Sequence, residues 1–290
     1  MEDLFDPRKI EKTWALENVT QERVLQQNED RLVVLFNSDQ GKFVCKTASP
    51  WKTAVALEKD TTVFQFLLEQ NFSHAPKFLL TKSGKRFAEL DSRLVYLMEY
   101  VEGKKPEATV ETYQKLGAMT AELHLLENYP HKTDFDPAII IATNFPDNAK
   151  KPPFGEEYLK VAATLPNFSV FSQTLIHTDI APANAIEKAD GSLTLIDWDD
   201  AGVGSAVLDL GYPLLSQFTT EDLELRPELA RAFYGAYLAK REITATEKKV
   251  LFSAGLFFAL MYLIYGDTTK RWERLNWALK HREEIEGMIP

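Results

Sequence analysis

Cysteine is almost missing from this 290-residue chain: Cys45 stands alone, so no intramolecular disulfide can form, and no cluster has the spacing of a zinc site. Long apolar runs are also missing. The longest, Leu251 to Tyr265, is interrupted by serine and glycine and is too short to cross a bilayer comfortably. The opening MEDLFDPRKIEK lacks the apolar stretch of a signal peptide, and the expectation is a soluble cytoplasmic protein with no membrane partner. Basic residues are scarce. The 33 Lys+Arg face 43 Asp+Glu, a net charge of −10, which is the wrong balance for a nucleic-acid binder that must neutralise phosphates. No internal repeat or low-complexity segment is present. The remainder, 45% hydrophobic and 11% aromatic with 13 Gly and 14 Pro, is the composition of an ordinary globular protein that folds without staples.

The acidic excess is uneven. Residues 1–100 carry 14 basic and 15 acidic side chains, and residues 101–290 carry 19 and 28. The first part reads as strands. Arg31 to Phe36 and Lys42 to Thr47 are β-branched and aromatic runs joined by the turn-rich Asn37 to Gly41, and Val19 to Leu25 adds a preceding strand. Thr53 to Glu69 turns helical, with Val55, Val63, Phe66 and Leu67 roughly on one face. Lys77 to Thr81 and Leu94 to Val101 read as two more strands. The spacing of Tyr113, Leu116, Gly117, Thr120, Leu123 and His124 then predicts a helix. Pro130 to Pro153, with five prolines, reads as connection. Thr174 to Thr178 and Ser192 to Trp198 read as strands around a hairpin turn at Ala189-Asp190-Gly191. Pro227 suits the first turn of a helix running towards Arg241, and Thr244-Ala-Thr-Glu247 reads as a capping box opening an apolar helix through Ile264.

The densest chemical signal is His177-Thr178-Asp179-Ile180-Ala181-Pro182-Ala183-Asn184, with Asp197 thirteen residues after the asparagine. Phosphoryl transfer needs hard oxygen ligands for a Mg²⁺ on the phosphates and a carboxylate to orient and deprotonate the attacking hydroxyl. Asp179 suits the second task, and Asn184 and Asp197 the first.

These strings, HTDIAPAN and IDWDDAG, resemble the catalytic loop and metal-binding segment of the aminoglycoside phosphotransferase and choline kinase group, small-molecule kinases sharing the protein-kinase fold. The resemblance extends over most of the chain. Phe43-Val-Cys-Lys46 is similar to the third-strand lysine motif, Leu57-Glu58 to its ion-pair partner, and Tyr96 to Gly103 to the hinge between lobes. The resemblance implies an α+β, two-lobed fold: an N-terminal nucleotide-binding lobe over 1–99, an antiparallel sheet with one helix, and a larger, mainly helical lobe over 100–290. It implies Asp179 as catalytic base, Asn184 and Asp197 on Mg²⁺, and Lys46 on the α- and β-phosphates of ATP or GTP, steadied by Glu58. Backbone groups of Glu99 and Val101 would hold the nucleotide base. His177 would support the loop and Asp209 would brace it. Only eleven residues separate Asp197 from Asp209, no Ala-Pro-Glu follows, and Thr178 stands where a protein kinase carries the loop arginine, all of which argue against a peptide substrate.

One departure concerns the first hairpin, Gln26 to Asp30, which has no glycine where a phosphate-covering loop often uses it, and which places Glu29 and Asp30 where they would repel phosphates. Other features read as structural. Asp199 and Asp200 read as a turn, His74, His124, His131 and His281 lack companions at metal or triad spacing, Trp272 and Trp277 read as packing residues, and Cys45 as a small buried hydrophobe. The expected reaction is Mg²⁺-assisted transfer of the γ-phosphoryl group to a hydroxyl of a small molecule. An amine-bearing acceptor such as an aminoglycoside fits the acidic second part. Choline, homoserine or a sugar-like alcohol is the alternative, as is a kinase-fold binding protein that has lost its chemistry.

Overall fold

The computed structural model describes residues 5–29, 31–130 and 135–290. Asp30 of the first hairpin and His131 lie outside the described residues. The chain forms two compact units, one of residues 1–104 with 186–198 and one of 105–185 with 199–290.

The first unit opens with a helix that the sequence pattern does not announce, α1 (Pro7–Trp14). Asp6 caps it by accepting the amide of Arg8, Pro7 occupies the first turn, and Ile10 and Trp14, four apart, face inwards. An antiparallel sheet follows, from β1 (Thr20–Gln27), β2 (Leu32–Ser38) and β3 (Gly41–Thr47), with α2 (Ala54–Glu69) before β4 (Phe78–Leu79), β5 (Ala88–Leu90) and β6 (Arg93–Glu99). Its order is β1-β2-β3-β6-β4, with β5 also on β6. Register pairs Val34 with Cys45 and Cys45 with Leu97, so these three form one buried row that packs with Ile10 and Trp14. Burial pushes the Cys45 thiol pKa far up, keeping it an inert small hydrophobe. The alternate row, Val33, Lys46 and Tyr96, faces the other side of the sheet. There Phe64 of α2 packs on Phe78 and Tyr96. The buried stripe of α2 is Leu57, Thr61, Val63, Phe64, Phe66 and Leu67. Val55, expected on that stripe, is 82% exposed, because its i+3 and i+4 neighbours are Glu58 and Lys59.

The chain enters the second unit through α3 (Val110–His124), α4 (Pro137–Asn148), α5 (Gly155–Ala162) and β7 (Gln173–Ile176). The stretch expected to be connection thus holds a helix: Asp136 caps α4, Pro137 starts it, and Pro146 falls in its last turn. The chain returns to the first unit for the hairpin of β8 (Ala185–Glu187) and β9 (Leu193–Leu195). Gly191 supplies the left-handed turn residue (φ +77°). The strand-like runs at 174–178 and 192–198 therefore do not pair with each other. β7 instead pairs with β10 (Gly202–Ser205). The hairpin is held within the first unit by Leu195 donating to the His74 carbonyl (2.7 Å) and by reciprocal amide bonds between Lys104 and Glu187. Gly103 is required here, since a Cβ would sit 2.2 Å from the Glu187 carbonyl oxygen.

The second unit ends in α6 (Ala206–Ser216), α7 (Pro227–Leu238), α8 (Ala245–Lys248), α9 (Leu251–Met261), α10 (Thr268–Lys280) and α11 (Arg282–Glu286). Pro227 does start α7. The capping box at Thr244 and Glu247 forms, but it caps the four-residue α8, and the apolar α9 begins separately. Phe145, Tyr158, Phe168 and Phe257 form an aromatic core beneath α9. Trp272 stacks on Phe154 and Trp277 on His281, as packing residues. Among the described residues no helix is long and apolar enough to cross a membrane.

Candidate functional site

In the first unit the chemistry gathers at the end of the β8–β9 hairpin. Lys46, from the α2-facing row of β3, is 6% exposed. A buried ammonium must be paired, and its Nζ lies 2.7 Å from Oδ1 of Asp197, 151 residues away. Arg31, immediately before β2, brings Nη1 within 3.5 Å of the same oxygen. Asp197 has φ +65°, a conformation rarely held without glycine; it lies two residues past the end of β9, and the next residue, Trp198, donates its indole N–H to the Leu195 carbonyl (2.9 Å). Chain geometry thus aims the carboxylate at the lysine.

Glu58 does not join this group. Its carboxylate accepts from the Arg86 guanidinium, which also donates to Gln65 (2.8 Å), and it is largely solvent-exposed. The expected Lys46–Glu58 pair is therefore replaced by Lys46–Asp197. The other acids of α2 are engaged too: Asp60 with Lys52 (2.5 Å) and Glu69 with Gln65 (2.8 Å). A lysine's partner across a helix depends on how the helix is rotated, which spacing alone cannot specify.

The segment expected to be the hinge leaves β6 with its amides committed in order. Glu99 donates to the Lys77 carbonyl (2.8 Å) and Tyr100 to that of Lys42 (3.0 Å). A cavity of about 1010 Å³ opens beside this segment, lined by Ser73, residues 75–77 and 99–104, the 187–191 turn and Thr194. Neither Lys46 nor Asp197 lines it, so it is distinct from the charged cluster.

In the second unit the loop after β7 is organised by a single buried carboxylate. Asp209, fully buried in the first turn of α6, accepts the amides of His177 (2.8 Å) and Thr178 (2.6 Å) and faces Nε2 of His124 (3.1 Å). These bonds hold Thr178 at φ +73° and so present Asp179, whose own amide points to Nδ1 of His177 (3.4 Å). Asn184 donates its side-chain N–H to the Asp179 carbonyl (3.0 Å), which commits the amide nitrogen and leaves the oxygen as the acceptor. Tyr212 of α6 lies within electrostatic reach of the Asp179 side chain. Burial, with the negative charge of Asp179, pushes the phenol pKa well up, so the hydroxyl keeps its proton.

The sequence pattern gave no sign of His124 and Tyr212. His124 finds its companions far along the chain: besides Asp209, its Nδ1 meets the Tyr237 hydroxyl (2.9 Å). Arg241 donates to that hydroxyl oxygen (2.6 Å) and to Ser172 (2.9 Å), which donates to Glu247 of the capping box (2.6 Å). Such an arrangement is satisfied by a neutral imidazole, with Nε2–H donating to Asp209 and Nδ1 accepting from Tyr237. Burial accordingly lowers the His124 pKa against the opposing pull of Asp209.

Taken each by itself, Asn184 of the second unit offers an amide oxygen and Asp197 of the first a carboxylate, the hard oxygen donors that suit Mg²⁺. Among the described residues no cluster of three or more His, Cys, Asp or Glu forms an all-protein metal cage.

A family model described as the phosphotransferase enzyme family matches residues 21–243. No curated protein matches the chain. Solved structures share the fold at low identity. An aminoglycoside phosphotransferase from Alicyclobacillus acidocaldarius aligns with a TM-score of 0.63 and 14% identity over 100% of this chain and 96% of its own. Choline kinase from Streptococcus pneumoniae gives 0.64 and 15%, over 97% and 96%. An amicoumacin kinase solved with AMP-PNP and Ca²⁺ gives 0.67 and 15%, over 98% and 92%. With the family model spanning most of the chain and an α+β fold of the same type, the chain belongs to the phosphotransferase enzyme family and is a small-molecule kinase.

Proposed function

We propose that this protein transfers the γ-phosphoryl group of ATP to a hydroxyl of an amine-bearing small molecule. The observation that carries the reading is the Lys46–Asp197 pair: a buried cation held 2.7 Å from a carboxylate in a strained conformation. Lys46 binds the α- and β-phosphates, and backbone groups of Glu99 and Val101 bind the base. Asn184 and Asp197 hold Mg²⁺, which when bound neutralises charge on the phosphates. Asp179 orients the acceptor hydroxyl and takes its proton. Catalysis consists of positioning and charge neutralisation with no covalent enzyme intermediate.

Charge supports a cationic acceptor. The window from His177 to Asp209 holds seven acidic residues against Lys188 alone. Such a field concentrates cations and is screened as the Debye length shrinks from ~10 Å at 0.1 M salt to ~3 Å at 1 M. The test is a panel of aminoglycosides, choline, ethanolamine, homoserine and neutral sugars, incubated with Mg²⁺ and γ-labelled ATP or GTP. Label should pass to amine-bearing acceptors, with a KM that rises several-fold between low and high salt. Label on neutral sugars only would overturn the acceptor class, and label on nothing would leave a binding protein.

A further inference from the structure

The connection between β1 and β2 lacks the glycines with which phosphate-covering loops bring backbone amides close to a nucleotide. It is instead closed by its own side chain. Asn28 accepts the Arg31 amide on Oδ1 (2.7 Å), and its amide donates to the Arg31 carbonyl (3.0 Å). This clamp fixes the backbone of Arg31 one residue ahead of β2. Its side chain, 25% exposed, then reaches Oδ1 of Asp197, the oxygen that Lys46 also holds.

Resting on the nucleotide-binding reading above, we propose that Arg31 is a binding residue for the triphosphate of the nucleotide, supplying from a side chain what a glycine-rich loop supplies from its backbone. Three observations converge. Arg31 shares a carboxylate oxygen with Lys46, so both cations serve one locus. A guanidinium is a planar fork of five donors that matches phosphate oxygens in pairs, and it stays charged at every working pH. The Asn28 clamp makes the position rigid at the place where the loop carries Glu29 rather than glycine. A purely structural arginine, neutralising Asp197, has no need of a position that leaves a quarter of its side chain open to solvent.

The experiment is calorimetric titration of the full-length protein and of Arg31→Ala and Arg31→Lys with a non-hydrolysable ATP analogue, ADP and adenosine, in Mg²⁺. Charge-assisted, paired hydrogen bonds predict an about 10- to 100-fold weaker analogue affinity in Arg31→Ala, a smaller loss for ADP, an unchanged affinity for adenosine, and partial recovery in Arg31→Lys. Unchanged analogue affinity overturns the proposal. So does an equal loss for analogue and adenosine, which marks a merely structural arginine. Should the wild-type protein bind no nucleotide at all, the nucleotide-binding reading itself fails, an outcome separate from failure of the arginine variants. Arg31→Lys, which keeps a long cationic side chain, holds the test open if Arg31→Ala does not fold.

Discussion

Thr178 in the second unit (φ +73°) and Asp197 in the first (φ +65°) sit in left-handed conformations without glycine, and each costs about 1–3 kcal/mol. Thr178 is held by Asp209, whose carboxylate also takes the His177 amide and the His124 ring. Because burial depresses the His124 pKa, the unfolded chain, with an ordinary histidine pKa near 6.5, takes up the proton first as pH falls. The unfolded state then binds more protons than the native state, so this contribution to stability is present above about pH 6.5 and shrinks as pH falls below it. The urea midpoint should therefore drop between pH 7.5 and 5.5, and His124→Gln should flatten that slope while lowering stability at pH 7.5. An identical slope in the variant would contradict a neutral, buried His124. At this scale residue identity and order single out Asp179, Asn184 and Asp197 as candidates. The sequence was illegible where rotation or distant partners decide: Glu58 lies on the Arg86 side of α2, and His124 meets groups 85 and 113 residues away.

Between elements, close approach is set by small residues. A Cβ on Gly211 of α6 would fall 2.4 Å from the Ala254 Cβ and 2.6 Å from the Leu251 carbonyl oxygen, and one on Gly255 of α9 would fall 2.8 Å from the Gly211 carbonyl oxygen. These helices can touch only because both positions lack a side chain. Gly235 in α7 has open space around it, so there glycine contributes only backbone freedom. Gly211→Ala should destabilise by about 1–3 kcal/mol through overpacking, whereas Gly235→Ala should stabilise by about 0.5–1 kcal/mol through helix propensity. Urea denaturation of the two variants checks both signs. Elements with sustained alternation or clear caps, such as β2, β3, α2 and α7, were readable from sequence. α4 was hidden because its prolines resemble a loop, although Asp136-Pro137 is a helix start. The pairing of β7 and β9 was hidden because their true partners, β10 and β8, are four and three residues long, too short to show a period.

Over the whole molecule, the antiparallel sheet unit and the helical unit follow the α+β plan that the order of motifs implied. The division at 99/100 does not show that residues 186–198 group with the first unit, because the bonds that place them run to His74 and Lys104, far away in sequence. Charge is likewise a property of the whole chain: of the net −10, the sequence window from His177 to Asp209 carries seven acidic residues against one lysine. The central claim is that this chain is a kinase whose acceptor hydroxyl is activated by Asp179. Transfer of γ-labelled phosphate to the preferred acceptor, compared between wild type and Asp179→Asn with ATP affinity measured in parallel, tests it most directly. The account predicts that kcat falls by about 10²- to 10⁴-fold while ATP affinity is retained. Undiminished turnover in Asp179→Asn would contradict it.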